Sequence, residues 1–180
     1  VTASADLERI DALLSQVPGP PGEPLPSGLT EEEVSGFEAR VGLTLPPEQA
    51  ALLRLSNGPC VGPGGLFGVR PALDFLDIER LYEAHPVWRE RGWVPVAGDG
   101  CGNHYVAVPR GGQWPVVFID TMETPERPVF VVASGVWKFV RALLEKELGP
   151  TGWPFDEAEV TSSDPFITRF ADLFPLPWNA

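Results

Sequence analysis

The densest grouping of catalytic residue types in this sequence is Gly98-Asp99-Gly100-Cys101-Gly102-Asn103-His104, which sets an acid, a thiol, an amide and an imidazole side by side. Such a set could run Cys–His nucleophilic chemistry, in which the imidazole takes the thiol proton across a direct hydrogen bond. Spacing argues against it. On a strand from Cys101 to Tyr105, side chains alternate, so Cys101, Asn103 and Tyr105 share one face and Gly102 and His104 the other. The pair then points apart. The segment reads instead as a hairpin whose glycines supply positive φ or let a neighbouring backbone come close. An enzyme built on Asp99, Cys101 or His104 ranks behind the two binding readings reached below.

Other chemistries fare no better. These glycines are not a phosphate loop, because no GxGxxG sits at a strand-to-helix junction and no Lys-Ser/Thr follows them. Metal ligation needs convergent ligands, yet the only histidines, His85 and His104, lie far apart along the chain, with no CxxC or HxxxH. Cys60 and Cys101 cannot build a disulfide framework and are expected as reduced thiols. Glu31-Glu32-Glu33 resembles a metal patch, but acids in a first helical turn complement the positive end of the helix dipole. Carboxylates for glycoside chemistry are abundant, and nothing singles out a pair. No catalytic, cofactor or metal site is expected.

Thirteen basic residues face 25 acidic ones, a net charge of −12 over 180 residues. A field of that sign repels phosphate backbones and anionic lipid, so neither nucleic acid nor a membrane surface is an expected partner. Its plainest consequence is solubility, and it also suits a basic protein. Six Trp and ten Phe supply ample material for the core of a single domain. No apolar run approaches the roughly 20 residues that span a bilayer. Val1 to Val17 lacks a basic cluster followed by an apolar stretch, so no signal peptide is expected and the cytoplasm is the expected compartment. Val1 in place of Met implies a trimmed start or a non-standard codon.

The elements that would position these residues are legible in outline. Asp6 to Gln16 carries Leu7, Ile10 and Leu14 at helical spacing, and Pro18, Pro20, Pro21, Pro24 and Pro26 impose an extended connector that completes a unit over 1–28. Thr30 to Glu33 is a capping box for a second helix, with Val34, Phe37 and Val41 on one face and Gly42 just past its end. Leu45-Pro46-Pro47 opens a third, buried through Leu52, Leu53 and Leu55 and stopped by Asn57-Gly58. Gly62 to Arg70 is a loop leading into a short strand, and Asp77 to Glu83 is a helix ending before Pro86. Strands follow at Val94–Ala97, Cys101–Val108, Trp114–Ile119 and Val129–Ala133, joined by Gly98-Asp99-Gly100, Arg110-Gly111-Gly112 and a longer acidic loop.

The tight turns make neighbouring strands antiparallel, and Cys101–Val108 with Trp114–Ile119 is the firmest pairing. Ser134 is expected to cap a helix carrying Val136, Phe139, Val140, Leu143 and Leu144 as one stripe. A tail over 151–180 holds Trp153, Phe155 and an Asp164-Pro165 helix start ahead of Phe166, Phe170 and Leu173. Helices, a strand meander and a closing helix define an α+β single domain with a mostly antiparallel sheet, its main body over 29–150. The expected core is Phe37, Leu45, Leu52, Leu55, Trp93, Val96, Val106, Val116, Phe118, Val131, Phe139 and Leu143.

Glu38, then Leu43-Thr44-Leu45-Pro46, then Leu52-Leu53-Arg54-Leu55-Ser56-Asn57-Gly58 resemble the opening signature of the SUKH superfamily, SMI/KNR type. Its pattern is a glutamate on a first helix, a Leu-Pro opening the next and an Asn-Gly closing it. Val94 to Asn103, with Gly98, Gly100, Gly102 and Asn103, is similar to the family's central hairpin, Pro115 to Asp120 to its next strand, and Ala133 to Phe139 to its last main helix. The resemblance runs from Thr30 to Leu148, with a weaker echo at Asp164-Pro165, and Phe37 stands where many members carry a bulkier ring.

What the resemblance implies is a curved sheet flanked by helices, no catalytic centre and a protein-binding role. Bacterial members are immunity proteins that neutralise secreted or contact-delivered toxins, many of them nucleases. Fungal members are cell-wall-assembly regulators, so an intracellular regulator or scaffold without a toxin is the second reading. On the first, Asp99, Asp120, Glu123 and Glu126 are the expected contacts for Lys and Arg of a basic toxin. Asn57-Gly58 and the Gly98–Asn103 turn are expected to be structural.

Overall fold

Local signals set most of the element boundaries in the computed structural model, which describes residues 3–17, 19 and 24–180. Pro18, Pro20 and Pro21 of the expected connector lie outside the described residues, as does Val1. Helix α1 (Ala3–Leu14) turns Ile10, Leu13 and Leu14 inward. At the start of α2 (Glu31–Val41), Thr30 Oγ1 accepts from Glu33 N–H at 3.2 Å and Glu33 Oε2 accepts from Thr30 N–H at 2.8 Å, the reciprocal pair of a capping box. Gly42, at φ +71°, ends the helix in the left-handed region. Pro47 begins α3 (Pro47–Leu55), where its missing N–H has no intrahelical partner to lose.

The segment from Gly62 to Arg70 departs from expectation. It forms no strand; single bridges link Leu66 to Ala97 and Gly68 to Asp77. The glycines leave too little regular backbone for a ladder, but Phe67 N–H still donates to Val96 O at 2.9 Å. Asp77 caps α4 (Ile78–Ala84), accepting from Glu79 N–H at 3.0 Å. Pro86 does more than end that helix. It opens a second short one, α5 (Pro86–Glu90), because proline suits a first turn as well as it breaks an interior.

Strands β1 (Val94–Gly98), β2 (His104–Ala107), β3 (Val116–Ile119) and β4 (Phe130–Ala133) form one antiparallel sheet in sequence order. The β2–β3 pairing matches Tyr105 with Phe118 and Val106 with Val117. Cys101 to Asn103 belongs to the turn and not to β2, so the alternation expected from Cys101 starts at His104. Register shifts between Pro95 and Ala97 and between Val116 and Val117 add bulges on both sides of the β2–β3 hairpin.

Ser134 does not cap the helix that follows it. Gly135 occupies the N-cap of α6 (Val136–Leu148), and Glu48 of α3 supplies the acceptor, its Oε2 taking Trp137 N–H at 3.0 Å. Ser134 instead donates its N–H and hydroxyl to the buried Asp164 carboxylate. The tail holds α7 (Glu157–Ser163) ahead of Asp164, and Asp164-Pro165 leads only into a 3-10 turn, Ile167–Phe170.

Among the described residues, seven α-helices surround the four-stranded open sheet of an α+β single domain. Tyr105 meets Phe139 of α6 on one face, and His104 meets Trp88 of α5 on the other. Helix α1 lies along α6, where Asp6 pairs with Lys138 at 3.5 Å and Arg141 at 3.8 Å. One apolar cluster extends from Ile10 to Leu176 and contains ten of the twelve expected core residues; Leu55 and Phe118 are only half-buried. Both outer strands are covered. The Phe67 segment lies on β1, and Val131 N–H of β4 donates to Pro175 O at 3.0 Å.

Candidate functional site

In the β1–β2 turn, Asp99 is occupied internally. Its carboxylate accepts from Cys101 N–H at 2.7 Å, Asn103 N–H at 2.9 Å and Asn103 Nδ2 at 2.8 Å. Burial alone would raise this carboxyl, but the three hydrogen bonds outweigh it and hold the group below its usual range. Cys101 stands exposed at the tip. His104 turns the opposite way, into an aromatic cluster with Phe67, Trp88 and His85. Burial pushes its imidazole down to about 4, and the nearby His85 adds to the shift against a smaller pull from Asp99.

The two histidines, far apart in sequence, are therefore neighbours in space, with ring centroids 5.9 Å apart. The fold closes a gap that linear spacing could not reveal. Among the described residues, no group of three or more His, Cys, Asp or Glu side chains could hold a metal ion. Cys101 is not a hydrogen-bond partner of the His104 ring, whose Nδ1 faces Thr121 Oγ1 at 3.5 Å.

The β3–β4 loop is braced from several sides. Asp120 Oδ1 accepts from Met122 N–H at 3.0 Å and Glu123 N–H at 3.2 Å, shaping the first turn. Thr121 donates its hydroxyl to Gly102 O in the neighbouring turn. Trp88 Nε1 donates to Pro125 O and the Arg91 guanidinium to Glu126 O. Fixed in this way, the loop presents Glu123, Glu126 and an 83% exposed Met122 to solvent. Sequence reasoning found the acids but not Trp88, Arg91 and Thr121 as anchors, because each acts on a carbonyl remote in sequence.

A line of rings crosses the sheet. Tyr105, Phe118 and Phe130 are directly paired across β2, β3 and β4, with ring centroids 5.4 and 5.1 Å apart. Phe155, 59% exposed, extends the line from Phe130 at 6.1 Å. Inward, Tyr105 packs on Phe139. The line thus passes from the core to the surface, and Val129 N–H donates to Phe118 O at 2.9 Å where the β3–β4 loop rejoins the sheet.

The motif residues act inside the fold. Glu38 Oε1 accepts from Leu45 N–H at 2.8 Å, which fixes the approach of α2 to Pro46 and α3. The Asn57 amide pairs with Val69 as a strand would, donating to its O at 2.9 Å and accepting from its N–H at 2.8 Å. Gly58 sits at φ +70°, and a Cβ there would stand 2.7 Å from Pro71 Cβ. Gly98 is tied to Gly65 O by its N–H, while Gly102 receives Thr121.

Residues 28–142, more than half of the chain, match the model of the SMI1 / KNR4 family (SUKH-1). The chain belongs to the SUKH-1 family. All the motif residues described above fall inside the match, which ends within α6. Membership suggests an immunity-protein-like or regulatory role exercised by binding other proteins. No curated protein sequence matches this SUKH-1 chain significantly. Among its described residues, no helix is long and apolar enough to cross a membrane. Phe155, α7 and the 3-10 turns of the tail lie beyond the family match.

Proposed function

We propose that this SUKH-1 chain is a non-catalytic immunity protein of the cytoplasm that neutralises a basic toxin domain by covering its cationic face. The observation that supports it most is the braced β3–β4 loop, which holds Glu123 and Glu126 outward. A nuclease must present positive charge to a phosphate backbone, and an acidic protein of net charge −12 competes for that surface. Asp99 and Asp120 are engaged in shaping their turns, which favours Glu123 and Glu126 for the charge pairing.

The test is co-expression with the C-terminal domain of a large secreted protein encoded immediately beside this gene. The expected result is survival of the host together with a one-to-one complex in calorimetry. Absence of such a neighbour, or survival without complex formation, sinks the immunity reading. A regulatory or scaffold role of the kind found in the fungal relatives then takes its place.

A further inference from the structure

We infer that Arg40, Arg70 and Arg89 build a binding site for a single carboxylate group. The site goes beyond the immunity reading and does not depend on it. The three arginines line one open hollow of about 370 Å³, walled by the buried Val41 and Tyr82. Each guanidinium is tethered through Nε. Arg40 donates to Glu79 Oε1 at 2.9 Å, Arg70 to Glu79 Oε2 at 2.7 Å and Arg89 to Val41 O at 2.7 Å. Among the described residues no other side-chain hydrogen bond or ion pair engages them, so their terminal nitrogens have no protein partner. A planar guanidinium held at Nε still offers paired N–H donors, the arrangement that receives both oxygens of a carboxylate.

The fold accepts strain to place one of the three. Arg70 is the one non-glycine residue at positive φ, +46°, among the described residues. Asn57 bonds both backbone groups of the preceding Val69, and Asp77 Oδ1 takes the Arg70 N–H at 3.2 Å. Burial alone would raise the Glu79 carboxyl, but hydrogen bonds from Arg70 and Arg40 hold it below its usual range. It therefore stays ionised and keeps both guanidiniums aimed. Charge selects the occupant. At the hollow three guanidiniums meet two carboxylates, Glu79 and Glu83, which leaves one positive charge in excess. A second hollow shares Arg40 and Arg70 but carries Glu32 and Glu33, so the excess belongs to the Arg89 side. One excess charge matches a monoanion. A phosphate dianion or a nucleic-acid backbone brings more negative charge into the field of a molecule at −12 and is disfavoured. The apolar wall of Val41 and Tyr82 suits a carboxylate borne on an apolar body, either a free organic acid or the C-terminus of a peptide.

Benzoate and N-acetyl-trialanine, each titrated into the full chain, are the probes, read by the Nε resonances of isotope-labelled arginine. The expected result is a saturable shift confined to Arg40, Arg70 and Arg89. Arg89→Gln should weaken binding about tenfold, and Arg89→Lys, which keeps the charge but not the planar fork, should weaken it less. Arg110→Gln makes the same charge change at a guanidinium over the Phe174 ring and should leave binding unchanged. Response to benzoate alone assigns the site to free organic acids. Response to the peptide acid, with none to its C-terminal amide, assigns it to chain termini. No saturable shift with either probe would overturn the inference, as would equal losses from Arg89→Gln and Arg110→Gln, or inorganic phosphate binding more tightly than both carboxylates.

Discussion

At Gly100 the backbone has φ +81°, and a Cβ there would stand 2.5 Å from the Pro63 carbonyl oxygen. Gly100→Val therefore meets both left-handed strain and a backbone clash, and should cost about 1–3 kcal/mol in urea unfolding. Cys101→Ser, one residue on at an exposed tip, should leave stability and partner binding unchanged. Loss of binding in a folded Cys101→Ser protein would contradict the structural reading of the turn. His104 sets a pH dependence. Its folded value, about 4, lies below the ordinary 6.5, so between those values the unfolded chain binds more protons and stability falls with falling pH. From pH 7 to pH 5 the loss should be on the order of 1–2 kcal/mol once partial exposure is allowed for, and His104→Phe should remove most of it. His85, also held low by burial, contributes in the same sense, and a pH series of melts on both proteins measures the difference.

Among the elements, α6 shows what sequence could and could not reveal. Its stripe of Val136, Phe139, Val140, Leu143 and Leu144 follows from periodicity and is buried as expected. Its start does not, because the cap comes from Glu48, 89 residues away, while the adjacent Ser134 bonds Asp164. Short-range propensity names a competent cap but not the tertiary competitor that takes its place. The same limit explains α5: Pro86 reads equally as a stop or a start, and Trp88 packing against His85 and His104 decides. Conversely, the Thr30–Glu33 box needed only four consecutive residues and was legible in full. Asp164→Ala should free the Ser134 amide and hydroxyl from their buried acceptor. The expected cost is about 1–3 kcal/mol in denaturant titration, with protection of tail amides from hydrogen exchange lost first.

For the molecule as a whole, charge was readable from composition and its placement was not. Loop acids at Asp120, Glu123 and Glu126 are plain in the sequence, yet their fixed presentation depends on Trp88 and Arg91 reaching across from α5. The row of Tyr105, Phe118 and Phe130 needed strand register, which hairpin lengths alone do not supply. With a net charge of −12, association with a cationic partner should slow steeply as salt rises, while dissociation changes less. Stopped-flow rates across a salt series decide this, and a flat series would mean that the acidity serves solubility alone.

The bond from Val131 N–H to Pro175 O gives the last residues a duty that goes beyond filling the core. They act as a hem on the sheet. Cutting the chain after Phe174 would bare the Val131 amide on the outer edge of β4 and offer each molecule a template for the next, so a trimmed protein should assemble into sedimentable, thioflavin-positive polymers. In an open four-stranded sheet, a sealed border guards against self-association more than any single buried ring does.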